Sequence, residues 1–282
     1  MVDSSSCEDD ARKGGMPNAK NGLDGSRVYF EDDGGDGSPV VFLGGFLDPV
    51  ELVRCSPLAQ ALLAVSEEFR LIFVDHRGHG RSDKPHEARS YAMPVRVADA
   101  VAVLDELGIH RAHFIGVSWG GRLCFGIGEH APDRVRSLVI VGQHPYAIDP
   151  HGPLTRVVGE ALTASRREGI EALIRAFEEI AGRYPEDVRE VYLANDAAAM
   201  RAAFDAALAE GAVARDLHTW QIRCLISVAA EDVDFYEQAR RAADEIPNAE
   251  FVSLEGLSHL DVDTAGVDPV LHAVLRTLRG AS

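Results

Sequence analysis

The sequence predicts an α/β fold, a mostly parallel, doubly wound sheet with an inserted helical cap. Three observations carry this. Short apolar runs at 39–43, 69–74, 135–141 and 224–228 alternate with amphipathic stretches, the pattern of parallel strands buried on both faces. The stretch Gly116-Val117-Ser118-Trp119-Gly120 breaks an apolar strand and restarts the chain as a helix. Between about 149 and 216 the alternation stops, giving way to segments rich in Ala, Glu and Arg, and then it resumes.

Taken in order, residues 28–31 form a first short strand, and a Gly/Asp-rich turn follows at 32–38. The strand at 39–43 ends in Gly44-Gly45-Phe46-Leu47-Asp48-Pro49, a loop with little bulk at its start. Leu58, Ala61, Leu62 and Val65 share one face of a helix over 57–67, and 69–74 is the next buried strand. Pro94 opens a helix to 107 with Val97, Val101, Leu104 and Leu107 on its buried side. The strand at 111–117 then leads through the serine turn into a helix over 122–130. After the strand at 135–141, helices are expected at 161–167, 170–181 and 185–208. They would form a cap over the carboxyl ends of the strands, where ligands of such sheets bind. A strand at 224–228, a helix at 235–246, a strand at 251–254 and a helix at 267–278 complete the chain. The expected division is a leader at 1–26, a core at 27–148 and 217–282, and a cap at 149–216.

Composition narrows the partners. A net charge of −17 argues against nucleic acid or an anionic membrane surface. No apolar run approaches the roughly 20 residues that cross a bilayer. Residues 1–26 are rich in Ser, Asp, Gly, Asn and Lys and lack an apolar segment, so they read as a disordered leader and not a secretory signal. The cysteines Cys7, Cys55, Cys124 and Cys224 show no close pairing or metal-ligand spacing, so a reducing cytoplasm is the expected compartment.

The chemistry centres on Ser118. A serine hydroxyl is a poor nucleophile until a base takes its proton, and the base needs a third group to orient it. Both should lie at the carboxyl ends of later strands. The last strand is followed by Gly256-Leu257-Ser258-His259, which offers His259 as base. The strand before it leads into Glu231-Asp232-Val233-Asp234, where Asp232 is the expected acid and Glu231 and Asp234 stay open as local rivals. The order serine, acid, histidine is that of a nucleophile-elbow enzyme. Oxyanion donors are expected from the backbone amides of Trp119, at a helix N-terminus, and Phe46, beyond the paired glycines. Gly45, His144 and Tyr146 are candidates to line a substrate pocket. Arg122 could meet a substrate carboxylate, or serve as a structural ion pair.

These residues resemble the α/β-hydrolase superfamily, in its esterase, lipase and epoxide-hydrolase-like branch. The resemblance covers about Arg27 to the C-terminus. It rests on the stretches 42–46, 75–85 (Asp75-His76-Arg77-Gly78-His79-Gly80-Arg81-Ser82-Asp83-Lys84-Pro85), 116–121 and 256–259. It implies Ser118 as nucleophile, His259 as base, Asp232 as acid, the Phe46 and Trp119 amides as oxyanion donors, and a mostly architectural 75–85 loop whose charges pair locally. Two features depart from the family pattern. Gly44-Gly45 stands where His-Gly is usual, and Ala229 or Ala230 replaces the usual glycine before the acid. Serine at 118 sets aside the members with an aspartate nucleophile. Some relatives place the acid before the cap, but Gly142-Gln143-His144 offers no carboxylate there, which favours Asp232.

The expected reaction is hydrolysis of an ester or related acyl bond in a small to medium-sized molecule, through an acyl-serine and with no metal or organic cofactor. Carbon–carbon bond hydrolases, thioesterases and lactonases use the same constellation. A cofactor-independent oxygenase and a non-catalytic ligand-binding member are the alternatives from other classes. A homodimer through the cap or an edge strand is compatible with the residues, and nothing favours it over a monomer.

Overall fold

Alternate residues of the apolar runs feed opposite faces of one sheet, which is why those runs are continuous and not alternating. In β3 (Ser38–Leu43), Val41 and Leu43 pack into the core on one side of the sheet, Val40 and Phe42 into the core on the other. The computed structural model describes residues 17–65, 67–262 and 267–280. Among them the sheet has eight strands: β1 (Asn18–Lys20), β2 (Arg27–Asp32), β3, β4 (Phe69–Val74), β5 (Ala112–Val117), β6 (Val135–Val141), β7 (Arg223–Ala229) and β8 (Ala249–Leu254). Their spatial order is β1-β2-β4-β3-β5-β6-β7-β8. β1 runs antiparallel to β2 and β2 to β4, and the rest are parallel. The chain winds outward from β3 to β4 and then returns to lay β5 on the other side of β3. The carboxyl ends of β3 and β5 therefore flank a topological switch point, where ligands of open α/β sheets bind.

Helices cover both faces. α3 (Met93–Glu106), α4 (Trp119–His130) and α9 (Tyr236–Glu245) supply buried residues to one core, while α1 (Val50–Cys55), α2 (Pro57–Leu63) and α10 (Val267–Arg279) supply the other. Ser56 separates α1 from α2 because it is the N-cap of the second, with its hydroxyl accepting from the Ala59 amide and Pro57 at the first helical position. The helix expected over 122–130 starts at Trp119, directly after the serine.

Between β6 and β7 lie four helices, α5 (Pro153–Glu168), α6 (Glu171–Ala181), α7 (Glu186–Leu193) and α8 (Ala197–Ala209). One long helix was expected over 185–208. It is split because Asp196 caps α8, its carboxylate accepting from the amides of Ala198 and Ala199. Small residues of α8 (Ala199, Ala202, Ala203, Ala206) pack around Trp119 and Tyr91, so this helix sits on the carboxyl edge of the sheet.

The expected leader needs correction. Residues 1–16, Cys7 among them, lie outside the described residues, but 17–26 belong to the fold. β1 pairs with β2, and buried Asn21 donates to Asp99 at 2.6 Å and to the Val95 carbonyl at 3.0 Å. Asp99 also takes both arms of the Arg77 guanidinium, at 2.6 and 2.7 Å, and Arg77 reaches Asp24 at 2.9 Å. A buried guanidinium requires such partners, and they come from the N-terminal segment and α3 and not from its own loop. The charges of the 75–85 loop are thus only partly paired locally. Asp75 does serve the loop itself, accepting from the Arg81 amide at 2.7 Å and, outside it, from Val50 at the start of α1 at 2.6 Å.

Candidate active site

β5 delivers Ser118 to the carboxyl edge in a conformation that L-residues rarely adopt, with φ 47° and ψ −105°. Its surroundings hold it there. The Ser118 amide donates to the Val141 carbonyl at 2.7 Å, and the Gly120 amide donates to the Gly44 carbonyl at 3.0 Å. The flanking glycines are required by contact. A methyl on Gly116 would lie 2.7 Å from Cys124 Sγ and nearer still to the Gly120 backbone, and one on Gly120 would strike the Leu43 carbonyl.

His259 follows β8 in a short turn fixed by reciprocal capping: the Ser258 side chain accepts from the Asp261 amide, and the Asp261 carboxylate accepts from the Ser258 amide (2.9 Å) and hydroxyl (2.5 Å). Its Nε2 lies 2.9 Å from Ser118 Oγ, and its Nδ1 lies 2.6 Å from Asp232 Oδ2. Asp232 is 4% exposed and sits in the turn into α9, where its carbonyl accepts from the amides of Phe235 and Tyr236. With the imidazole protonated on Nδ1, Nε2 is the lone-pair nitrogen facing the serine hydroxyl. Gly142 has φ +66°, and its bare α-carbon faces the His259 ring: a methyl there would touch Cε1 at 3.4 Å.

The structure separates the three carboxylates of the acidic run. Glu231 is exposed. Asp234 Oδ2 accepts from the amides of Leu154 (2.8 Å) and Thr155 (3.1 Å), capping α5 across the chain. Only Asp232 of the three reaches His259.

Trp119 opens α4, so its amide has no intrahelical acceptor. The Phe46 amide sits two residues beyond the Gly44 carbonyl that receives Gly120, and among the described residues neither amide donates to a protein acceptor. Their rings meet at 5.2 Å, and Phe204 of α8 lies 6.4 Å from Phe46, making an aromatic wall beside the two amides. Behind Trp119, the buried Arg96 guanidinium stands 4.1 Å over the indole and donates to the Trp119 carbonyl at 3.2 Å. Burial holds Arg96 down at about 10, and burial also holds the neighbouring His79 down at about 4. His79 is therefore a neutral ring beneath Phe46.

Three expectations shift. Gly45 does not open onto a pocket: its amide donates to Asp48 Oδ2 at 3.1 Å, and a methyl there would lie 2.5 Å from that oxygen. Arg122 is neither a substrate clamp nor half of a direct ion pair. It is fully buried and donates to the carbonyls of His144, Tyr146 and Gly211, tying the chain's departure into the helical insert to its return. His144 is buried and packs 5.5 Å from Phe235, while Tyr146 packs on His144 beneath the Arg241 guanidinium. The ring beside His259 is Phe235, at 4.8 Å. Sequence reasoning missed Phe235, although an aromatic three residues after the acid was the available signal. It also missed Asp48, visible only as the polar end of the glycine loop. Among the described residues no group of three or more His, Cys, Asp or Glu is placed to hold a metal ion. No helix among them is long and apolar enough to cross a membrane.

Comparison with known proteins bears on the family and the fold. The family model for the alpha/beta hydrolase fold matches residues 38–164. A protein of Caulobacter sp. (strain K31), provisionally named carbamate hydrolase RutD, is 32% identical over 212 residues, covering 69% of this chain and 74% of that one. The chain belongs to the α/β-hydrolase family. A second α/β-hydrolase relative, from Bacillus subtilis (strain 168), is provisionally named 2-succinyl-6-hydroxy-2,4-cyclohexadiene-1-carboxylate synthase. It is 30% identical over 174 residues, and the match covers 59% of this chain and 61% of that protein, less than two thirds of its length. Among solved α/β structures, the enol-lactonase of Burkholderia xenovorans LB400 superposes with a TM-score of 0.77 over 93% of this chain and all of that one. At 22% identity it speaks for the fold alone.

Proposed function

We propose that this α/β hydrolase cleaves an ester or related acyl bond of a small to medium-sized molecule through an acyl-serine intermediate. The observation that carries the reading is the unbroken hydrogen-bond chain from Ser118 Oγ through His259 to Asp232, at 2.9 and 2.6 Å. Ser118 Oγ attacks the acyl carbon as its proton passes to His259 Nε2. The carbonyl oxygen, now negative, is received by the amides of Phe46 and Trp119. Collapse of the tetrahedral adduct expels the leaving group, which takes the proton from His259 and leaves the acyl-serine. Water then attacks the acyl carbon and gives a proton to His259. The second collapse returns that proton to Ser118 Oγ and frees the acid. Asp232 holds the imidazole in the tautomer that each step needs and offsets its positive charge.

The name of the Caulobacter relative supports an acyl carbon as the point of attack, since a carbamate presents one. The test is hydrolysis of p-nitrophenyl acetate and butyrate by the wild type and by Ser118→Ala, under air and under nitrogen. The expected result is turnover that vanishes with the serine, by a factor of at least about 10⁴, and ignores oxygen. Turnover that survives Ser118→Ala and requires oxygen would refute the acyl-serine reading in favour of an oxygenase of the same fold.

A further inference from the structure

The loop that carries the Phe46 amide is held from two sides, and one of those sides is the helical insert. Within the loop, the Asp48 carboxylate curls back to accept from the Gly45 amide at 3.1 Å. Its other oxygen accepts from the Tyr192 hydroxyl of α7 at 2.9 Å. Two residues past α7, buried Asn195 donates from Nδ2 to the Leu47 carbonyl at 3.0 Å. Leu47 itself is non-glycine backbone at φ 118°, a strained conformation that persists only where its surroundings over-determine it. Phe46 lies between the residues so tied. On the core side, the Gly44 carbonyl is met by the Gly120 amide and by His76 Nε2, both at 3.0 Å.

We propose that Tyr192 and Asn195 are positioning residues for the oxyanion donor: the α7–α8 junction clasps Asp48 and Leu47 and so sets the direction of the Phe46 amide. The proposal rests on the acyl-serine reading and adds to it a role for the insert in the chemical step, beyond that of a lid or pocket wall. The physical reason is the loop's composition. Gly44 and Gly45 leave the backbone free, so its geometry at Phe46 must be supplied from outside. Two hydrogen bonds from the insert supply it, one to the Asp48 carboxyl and one to the Leu47 carbonyl. With the insert displaced, only the loop's own turn, closed by a long 3.4 Å bond from the Asp48 amide to the Gly45 carbonyl, is left to hold Leu47 at positive φ, and the Phe46 amide loses its aim.

Tyr192→Phe is the decisive variant, because it removes one hydroxyl and keeps the ring packed against Tyr184 at 5.1 Å. Asn195→Ala is its partner. Three readouts are taken: kcat and KM on p-nitrophenyl butyrate, inhibition by a trifluoromethyl ketone that forms a tetrahedral adduct on Ser118, and the thermal midpoint. The expected result is a kcat lowered about tenfold by either change with KM unmoved, below the about 100- to 1,000-fold of losing an oxyanion donor outright. The ketone should weaken by the same factor, since it samples the oxyanion and the bound ester does not. A raised KM with kcat and ketone affinity intact would overturn the proposal, leaving the junction as a pocket wall. So would kinetics within about twofold of wild type in both variants, or a kcat that falls only in step with the folded fraction. Ser118→Ala assayed alongside separates the two failures: if it stays active, the acyl-serine reading has failed first.

Discussion

Gly120→Ala tests the elbow most directly. The added methyl would lie 2.6 Å from the carbonyl carbon of Leu43, 2.8 Å from the Gly44 oxygen, and nearer still to the Leu43 oxygen. All three are backbone atoms at the end of a central strand, so no rotamer change relieves the clash. α4 must back away by about 1 Å, which stretches the 3.0 Å bond from the Gly120 amide to Gly44 and carries the Trp119 amide with it. Overpacking of this kind costs about 1–3 kcal/mol. A shift of about 1 Å in a reacting constellation costs about 100-fold in rate. Gly128→Ala is the comparison, since its methyl would lie 2.5 Å from the Trp220 ring in the core. Both variants should lose stability in thermal denaturation. At a temperature where both are folded, only Gly120→Ala should lose p-nitrophenyl butyrate turnover, through kcat. A Gly120→Ala protein with wild-type midpoint and kcat, or equal losses of kcat in both variants, would refute the argument that contact with the β3 end fixes the elbow.

Two further outcomes follow from the site and the core. Asp232→Asn should cut kcat by about 10⁴, because an amide beside Nδ1 admits the wrong tautomer, whereas Glu231→Gln should stay within about twofold; equal effects would dissolve the assignment. Stability should fall as pH drops from 6.5 towards 4. Burial holds His79, His113 and His144 down at about 4 from 6.5, so in that window the unfolded chain binds protons that the folded chain refuses. Each contributes up to about 1.4 kcal/mol per pH unit at its steepest. Urea midpoints across the range should shift accordingly, and His113→Asn, which removes the ring between Ser38 and Ser137, should flatten the slope; an unaltered slope would contradict this account.

Much of the architecture was legible because its signals are short-range. Apolar runs buried on both faces name parallel strands wherever they fall, and Gly116-x-Ser118-x-Gly120 names a strand-to-helix turn by its own sterics. The order of Ser118, Asp232 and His259 along the chain follows from the winding of the sheet. Long-range neighbours decided the rest. Asp232 and Asp234 are both carboxylates at the end of β7, and nothing local distinguishes them. One meets His259 and the other caps a helix about eighty residues earlier. Asn18 to Lys20 looked like leader because a three-residue strand has almost no pattern of its own, and its place is set by β2, α3 and the buried Arg77–Asp99 pair. Gly45 looked open to substrate because a glycine's neighbours are invisible in sequence, and the structure fills that space with Asp48. Sequence by itself determined the fold class and the three chain positions at which the chemistry could sit. Which side chains share a contact, and so which carboxylate meets His259 and what holds the 44–48 loop, was decided by packing between elements far apart along the chain.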